Sequence, residues 1–197
     1  MSGDGKRTLD PLAKRKAVLL AGETLFARKG YTGTTMADIA RAANVAVGTV
    51  YRLFPDKPAL LAALHRQMEE RFIDAMQAGW RETGDFDQKF AAMIDAIMDA
   101  AEAVLPRMPL YSLTRDMVGA ADFVPGEQMM AAIALQYADG VEAGAFHPHP
   151  PEVAASIAHG MVDGAMRAWM TDPTPARKAD VASTLKTLFD RAFLLRG

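Results

Sequence analysis

Glycine and proline residues divide this chain of 197 residues into segments of helical length, and this division limits its possible folds. The breaks fall at Gly30, Pro55 and Gly84 and in the loops 105–109, 119–125, 144–150 and 171–175. Between the breaks, apolar residues recur at helical spacing, and the sustained apolar–polar alternation that is typical of a strand is missing. The sequence therefore predicts an all-α protein.

The pattern predicts about nine helices in two domains. The predicted helices span residues 11–29, 36–43, 47–53, 57–80, 86–104, 110–118, 126–143, 151–171 and 174–195. We expect a polar, mobile tail over residues 1–10, an N-terminal three-helix domain over 11–56 and a larger helical domain over 57–197. The long helix 57–80 connects the two domains.

The composition excludes several classes of protein. The chain has no cysteine, which excludes disulfides, thiolate metal ligands and cysteine nucleophiles. The longest apolar run, from Met129 to Leu135, is far shorter than a membrane span, and the N-terminal residues lack the apolar stretch of a secretory signal. We therefore expect a cytoplasmic protein that does not enter a membrane.

Residue patterns typical of enzymes and metal sites are also missing. The sequence has neither a Gly-x-Ser-x-Gly motif nor a phosphate-binding loop, and no carboxylate pair stands out in an apolar frame. His147 and His149 lie in a proline-rich loop without nearby cysteine, which makes a poor metal site. His159 and Asp163 are more typical of a structural polar pair. We expect no enzymatic activity, no cofactor and no metal.

Charge is distributed unevenly along the chain. Residues 1–71 hold twelve Lys and Arg against seven Asp and Glu, a net charge of +5. Residues 72–197 hold ten against seventeen, a net charge of −7. Chance alone can produce such a difference, but a basic end suits a polyanionic partner if a binding motif accompanies it.

The two short helices predicted at 36–43 and 47–53 form such a motif. Thr35 is a good N-cap for the first helix, and Asn44 tolerates the left-handed conformation that the turn requires. Their lengths and the short turn between them are typical of a helix-turn-helix, in which the second helix enters the DNA major groove. An ordinary helical hairpin is the alternative.

The second of these helices has an apolar face and an outward face. Val50 and Phe54 are expected to pack on the two preceding helices. The side chains on the outward face suit DNA. Methyl groups of valine and threonine can contact thymine, glycine allows close approach to a base, and tyrosine and arginine can donate to phosphates. Lys57, at a helix N-terminus, is a further candidate for a phosphate contact. The outward residues are Val47, Gly48, Thr49, Tyr51 and Arg52.

Residues 25–57, LFARKGYTGTTMADIARAANVAVGTVYRLFPDK, resemble the signature of TetR/AcrR-type regulators, and the similarity runs without a gap from Ala17 to Leu61. The resemblance implies a three-helix DNA-binding domain, a C-terminal ligand-binding domain and a homodimer built on the last two helices. It also implies DNA contacts for the residues that match the family's contacting positions. These residues are Thr35, Val47, Gly48, Thr49, Tyr51, Arg52 and Lys57.

The sequence departs from the family pattern at Ala46 and Asn44. The family commonly has a serine where Ala46 stands, and that serine would cap the next helix and bond a phosphate. Its absence removes a cap worth about 1 kcal/mol in general and one anchor to the DNA backbone. Ala46 is still expected to lie in the interface, and the turn tolerates Asn44 in place of glycine.

The C-terminal half is rich in methionine, which fills irregular apolar space and accommodates varied ligands. Core packing is the alternative for each of these side chains, and only the family resemblance favours a cavity. The candidate lining of a ligand pocket consists of Met93, Ile97, Met108, Tyr111, Met117, Phe123, Met130, Ile133, Tyr137, Met161 and Met166.

The last two predicted helices carry a candidate dimer interface. Small residues on the first helix allow close helix approach, and apolar residues on the second complete a four-helix contact. Intramolecular packing of the same helices is the alternative, and both arrangements can hold at once. The interface residues are Gly160, Gly164, Ala165, Ala168, Leu185, Leu188, Phe189, Ala192 and Phe193.

These features together predict a homodimeric DNA-binding transcriptional regulator. The resemblance implies a repressor that leaves a palindromic, double-stranded operator when a small, largely apolar effector binds the C-terminal domain. The alternative is an architectural DNA-binding protein that does not respond to small molecules. A large cavity in the second domain would favour the first hypothesis, and a filled core would favour the second.

Overall fold

The computed structural model describes residues 10–81, 84–104 and 126–195. Within them the chain is all-α, as predicted, and the helix predicted at 110–118 lies outside the described residues. The other eight predicted helices are confirmed, with bounds within two residues of those predicted. They are α1 (Pro11–Lys29), α2 (Met36–Ala42), α3 (Val47–Leu53), α4 (Lys57–Trp80), α5 (Phe86–Val104), α6 (Glu127–Glu142), α7 (Pro151–Met170) and α8 (Pro175–Phe193).

The described residues form two compact units that divide within α4, between Gln67 and Met68. We call residues 10–67 the N-terminal unit, and residues 68–104 with 126–195 the C-terminal unit. The domain boundary predicted between residues 56 and 57 stays a prediction. In the described part of the chain, no helix combines the length and the apolar character needed to cross a membrane.

Local chemistry sets the helix ends. Gly30 ends α1 with a positive φ of 75°, a conformation that glycine adopts without steric cost. Asp56 caps α4, since its Oδ1 accepts a hydrogen bond from the Ala59 N–H at 2.7 Å. Asp85 caps α5 through the Gln88 N–H at 3.0 Å. These end signals are short-range, which explains why the sequence predicts the bounds well.

The N-terminal unit is built on a mainly aliphatic core. Its largest side chains come from all four helices, so that the short α2 and α3 are held by contacts with α1 and α4 rather than by their own length. The core residues are Val18, Leu19, Ala21, Phe26, Met36, Ile39, Ala40, Ala43, Val50, Phe54, Leu60, Leu61, Ala63 and Leu64.

The C-terminal unit is built around an aromatic cluster. The Phe146 ring is 2% exposed and lies 5.4 Å from the rings of Phe86 and Tyr137, between centroids. Two buried glycines allow close packing in this unit, one against Phe146 and one against α5. A Cβ at Gly140 would meet the Phe146 ring at 2.3 Å, and a Cβ at Gly79 would meet the Met93 Cα at 2.4 Å.

The loop between α6 and α7 pairs with the end of α8. Phe146 and Leu194 form an isolated antiparallel β-bridge. The His147 N–H donates to the Phe193 carbonyl at 2.9 Å, and the Leu195 N–H donates to the Ala145 carbonyl at 2.8 Å. These bonds satisfy backbone groups close to the aromatic cluster, where an unpaired group would be costly.

Ion pairs join α8 to α5 at the surface of the C-terminal unit. The Lys178 Nζ lies 2.6 Å from Asp99 and 2.7 Å from Glu102, and the Lys186 Nζ lies 2.6 Å from Asp95. Burial lowers the pKa of Lys178, but the hydrogen bonds and charges of Asp99 and Glu102 outweigh it and raise the pKa above its usual value. Lys178 therefore stays charged in this pairing.

Candidate nucleic-acid interface

The chain from Thr35 to Phe54 forms a helix, a tight turn and a second helix. Thr35 begins α2 with a capping box, in which its hydroxyl accepts from the Asp38 N–H at 3.1 Å. Asn44 has a φ of 53°, which is the left-handed conformation predicted for the turn. The Val45 N–H then donates to the Ala40 carbonyl at 3.0 Å, and this bond fixes the turn between α2 and α3.

One face of α3 is buried and the other is exposed. Val50 is fully buried and Phe54 nearly so, both within the core that includes Ile39, as predicted. On the other face, the exposed fractions of Val47 and Tyr51 are 42% and 51%. Gly48 and Arg52 are also exposed, and Thr49 is half-buried. The predicted outward set therefore faces solvent, and its contacts with DNA stay a prediction.

Gly48 faces open space. A Cβ built at this position meets no atom within 4 Å, apart from its chain neighbours and its own helix. The fold itself therefore does not require a glycine there, although glycine weakens a helix relative to alanine. The open space leaves room for close approach to the α3 backbone, and contact of DNA with Gly48 stays a prediction.

Ala46 starts α3 without a side-chain cap. It is exposed, and its extended backbone places it at the N-cap position, where no side-chain hydrogen bond to the helix is made. This agrees with the expectation from sequence. Its place in a DNA interface stays a prediction and would depend on contacts of its backbone and methyl group alone.

The hydroxyl of Thr35 is already in use at both its donor and its acceptor sides. It donates to the Asp38 Oδ2 at 2.7 Å while it accepts from the Asp38 N–H. This hydroxyl bond, with the Thr35 backbone N–H, lowers the pKa of Asp38. A phosphate offers only acceptors. For the predicted contact with DNA, the Thr35 hydroxyl would therefore have to donate its hydrogen to the phosphate instead of to Asp38.

Lys57, the first residue of α4, is held against the turn between α1 and α2. Its Nζ donates to the Tyr31 carbonyl at 2.7 Å and to the Thr34 carbonyl at 3.0 Å. The same Nζ lies 4.3 Å from the centroid of the Tyr31 ring. Burial, and then the charge of Asp56, raise the pKa of Tyr31, so that this ring stays neutral.

Arg15 of α1 is a neighbour of α3 that the sequence analysis did not single out. Its guanidinium lies over the ring of Phe54 at 5.0 Å from the centroid, so that a cation of α1 sits at the C-terminal end of α3. Arg15 is the middle residue of the basic run Lys14–Lys16, so its positive charge was evident from the sequence. The contact with Phe54 was not predictable, because it joins residues almost forty positions apart.

The candidate pocket residues that the structure describes are mostly part of the core. Met93 and Ile97 are buried together with Met76 in one small cluster. Ile133, Tyr137, Met161 and Met166 belong to or pack against the aromatic cluster, and Met130 is half-buried. Each of these positions agrees with core packing, and their role in binding a ligand stays a prediction. Met108, Tyr111, Met117 and Phe123 lie outside the described residues.

The candidate dimer residues divide into two groups. Leu185, Phe189 and Phe193 are buried within the chain itself, so their side chains have almost no surface left for a partner. For these three residues the structure favours the intramolecular alternative. Ala165 and Ala168 are half-buried against the same core. The residues that remain at the surface are Gly160, Gly164, Leu188 and Ala192.

The histidines of the C-terminal unit do not gather into a metal site in the described residues. The ring centroids of His147 and His149 are 6.2 Å apart. No group of three or more His, Cys, Asp or Glu is placed to hold a metal within the ranges that the structure covers. Asp163, considered above with His159, forms an ion pair with Arg167 at 2.5 Å.

The structure has the features of a helix-turn-helix domain of the DNA-binding class. The turn between α2 and α3 is fixed, one face of α3 is exposed, and the basic residues Arg15 and Arg52 lie at or beside α3. Residues 18–64 match the family model described as "Bacterial regulatory proteins, tetR family". Residues 18–64 therefore form a DNA-binding domain of the TetR type, and together with the relatives described below this match supports a TetR-type transcriptional regulator. The resemblance noted from the sequence is thereby confirmed.

Relatives extend the similarity beyond the N-terminal unit. The HTH-type transcriptional regulator YhgD of Bacillus subtilis (strain 168) is 24% identical over 182 residues, covering 88% of this chain and 93% of the relative. A putative tetR family transcription regulator from Shewanella sp. PV-4 is 29% identical, with a TM-score of 0.73, covering 93% of this chain and 99% of the other.

A third similar structure shares the fold. It is the complex of SmeT with triclosan, at 20% identity and a TM-score of 0.70, covering 94% of this chain and 93% of that one. SmeT is described as the repressor of the Stenotrophomonas maltophilia multidrug efflux pump SmeDEF. At this identity the likeness concerns the fold alone.

Proposed function

We propose that this regulator is a homodimeric repressor that binds a palindromic operator and leaves it when a small, largely apolar effector binds the C-terminal unit. The observation that supports the DNA-binding part of this proposal is the exposed outward face of α3. That face exposes apolar and aromatic side chains around Gly48, where the fold leaves space that it does not itself use. The proposal includes a cytoplasmic location, where the DNA is.

The outward face of α3 suits contact with both bases and phosphates. Val47 and Thr49 offer methyl groups to thymine, and Gly48 between them allows the backbone to approach a base edge. Tyr51 and Arg52 donate hydrogen bonds and are placed to reach phosphates at the groove edge. We propose these five residues as the DNA-contacting core, with Ala46 and Thr35 beside them through their backbones.

A dimer is supported by an apolar surface on α7 and α8. On α7, the exposed fraction of Ile157 is 53%, and Gly160 and Gly164 follow it on the same side of the helix. A Cβ at either glycine would meet no atom within 4 Å. On α8, the exposed fraction of Leu188 is 51%. Exposed apolar residues beside small ones suit close packing against a second copy.

Effector binding is supported by composition and by one similar structure. The C-terminal unit contains methionine and aromatic side chains that can rearrange around an apolar molecule. SmeT, which shares the fold, has been captured with triclosan. We propose that an effector displaces the part of α4 within the C-terminal unit and so changes the spacing of the two α3 helices. An architectural protein without an effector is the second candidate.

The first experiment tests DNA binding and its residues. Wild-type protein selects duplexes from a random-sequence pool, and the enriched duplex, of about 40 base pairs, spans two half-sites separated by a helical turn or more. Arg52→Ala should lower affinity for this duplex and reduce the slope of log affinity against log salt by about one unit. Thr49→Ala should instead change the preferred bases. Failure of any sequence to enrich would contradict operator binding.

The second experiment tests the dimer. Leu188→Glu places a charge on the proposed α7–α8 surface and should yield monomers in analytical ultracentrifugation. Leu135→Glu is the matched control, because Leu135 on α6 is also an exposed leucine, with an exposed fraction of 66%. Equal behaviour of the two variants would rule out this surface as the interface.

The third experiment separates a sensor from an architectural protein. A library of apolar compounds, including triclosan, is screened for a rise in melting temperature, because a ligand that binds only the folded state stabilises it by mass action. A true effector must also release the selected duplex. Binders that leave the DNA complex unchanged would favour the architectural alternative.

A further inference from the structure

We infer that Lys57 positions the DNA-reading helix and does not itself bind a DNA phosphate. This reverses the expectation from sequence, and it rests on the proposed function of α3. The evidence is the way in which the protein surrounds the Lys57 ammonium group. Two backbone carbonyls accept from it, and an aromatic face covers it.

The contacts use most of what the ammonium group offers. A lysine Nζ has three N–H donors, and two of them point at the Tyr31 and Thr34 carbonyls, at 2.7 and 3.0 Å. Bonds from a charged donor are stronger than neutral ones, and the Tyr31 ring adds a cation–π contact at 4.3 Å. Only the third donor is left for a phosphate, on a group that is already directed towards the protein.

The partners of Lys57 are themselves firmly held. Thr34 is 1% exposed, and its hydroxyl donates to the Gly30 carbonyl at 2.8 Å. The Tyr31 ring packs against Phe26 with centroids 5.2 Å apart. The lysine is therefore tied to a rigid part of the N-terminal unit rather than to a loose loop.

The position of these contacts in the chain explains their effect. Tyr31 and Thr34 lie in the turn between α1 and α2, and Lys57 follows α3 after a three-residue connection. The contacts therefore close a loop that contains all of α2 and α3. We call the Lys57–Tyr31–Thr34 contacts the α4 clamp. With both ends of the helix-turn-helix joined, the outward face of α3 keeps one orientation relative to α1 and α4.

Positioning and phosphate binding predict different salt dependence. A lysine that neutralises a phosphate releases a counterion on binding, and its loss lowers the slope of log affinity against log salt by about one unit. A positioning residue changes the affinity at every salt concentration and leaves the slope almost unchanged. A residue that only stabilises the fold changes neither, provided that the variant is folded.

The test compares four variants of the full chain on the duplex selected by the wild-type protein. Lys57→Met keeps the length of the side chain and removes its donors, whereas Tyr31→Leu removes the aromatic face without removing any charge. Tyr31→Phe is the matched control, because it keeps the ring. Arg52→Ala is the reference for a phosphate contact. Circular dichroism well below the melting temperature confirms that each variant is folded.

We expect Lys57→Met to lower affinity about tenfold, which corresponds to about 1.4 kcal/mol, with less than half of the slope change of Arg52→Ala. Tyr31→Leu should lower affinity several-fold with an unchanged slope, and Tyr31→Phe should behave like the wild type. A slope change for Lys57→Met equal to that of Arg52→Ala would overturn the inference and leave the proposed function intact.

Two other outcomes are also decisive. Unchanged affinity for both folded Lys57→Met and folded Tyr31→Leu would show that the clamp only stabilises the domain, and the inference would fail. Unchanged affinity and slope for Arg52→Ala would instead contradict the proposed DNA-contacting face of α3, whatever the Lys57 variants do.

Discussion

Two regions of this protein, the core of the C-terminal unit and the exposed face of α3, surround their glycines in opposite ways. In the C-terminal unit, Gly79 and Gly140 are buried, and an added Cβ would collide with Met93 or with the Phe146 ring. In the N-terminal unit, Gly48 of α3 meets nothing within 4 Å. The buried glycines are explained by the packing of the chain on itself, whereas no described contact requires the exposed one, and we propose that DNA approaches α3 there.

This contrast separates residues that the fold needs from residues that a partner needs. Alanine is favoured over glycine in a helix, so a helical glycine with free space around it weakens the isolated protein slightly. Gly160 and Gly164 on α7 share this property with Gly48. The two exposed sites are the two proposed contact surfaces, with DNA and with a second copy.

The largest expected effect is that of Gly79→Ala. The new Cβ would lie 2.4 Å from the Met93 Cα and 2.7 Å from the Ala92 carbonyl oxygen, so that α4 and α5 must move apart. We expect a loss of about 3 kcal/mol in the free energy of unfolding, measured by urea denaturation. A loss below about 0.5 kcal/mol would contradict the close approach of these helices.

Gly140→Ala should have the next largest effect. Its Cβ would meet the Phe146 ring at 2.3 Å, and this side chain is held among other aromatic rings. Because a ring can shift more easily than a backbone, we expect a loss of about 2 kcal/mol. The double variant Gly140→Ala with Phe146→Leu should recover part of it, and additive losses would argue against this contact.

Gly164→Ala should stabilise the protomer and weaken the dimer. The substitution fills open space on α7 and favours the helix by about 1 kcal/mol, which unfolding of the dissociated protein would report. Sedimentation at several concentrations should show an increased dissociation constant, since the partner's helix loses its close approach. A variant that is more stable and dimerises normally would place the interface elsewhere.

Gly48→Ala should have the smallest effect on stability and a clear effect on DNA binding. Gly48 lies in the first turn of α3, where we expect a gain of only about 0.5 kcal/mol. Affinity for the selected duplex should nevertheless fall about tenfold, because the methyl group blocks the approach of a base edge. Normal affinity would show that DNA does not approach α3 at this position.

Much of the fold was predictable because its signals are local. Pro11, Gly30 and Asn44 mark helix ends through their own backbone preferences, and the alternation of Val50 and Phe54 with outward residues follows from helix geometry alone. The same signals describe the exposed face of α3. For that reason the helix bounds of the N-terminal unit and the two faces of α3 could be predicted closely.

The contacts between distant residues were not predictable. The Thr35 hydroxyl could be identified as a cap, but its donation to Asp38, which limits its use towards phosphate, depends on a side-chain rotamer. The Lys57 contact with Tyr31 spans 26 positions, and the Arg15 contact with Phe54 depends on the angle between helices. Burial of Leu185 and Phe189 within the chain also required the helix arrangement.

The bridge between Phe146 and Leu194 determines how early in translation the C-terminal unit can complete its fold. The N-terminal core draws on residues between Val18 and Leu64, so its partners are available early in translation. The aromatic cluster is different, because His147 bonds to Phe193 and Ala145 bonds to Leu195. These bonds form only after residues 193–195 have left the ribosome. The N-terminal unit can therefore fold while the aromatic side chains of the C-terminal unit are still exposed to chaperones.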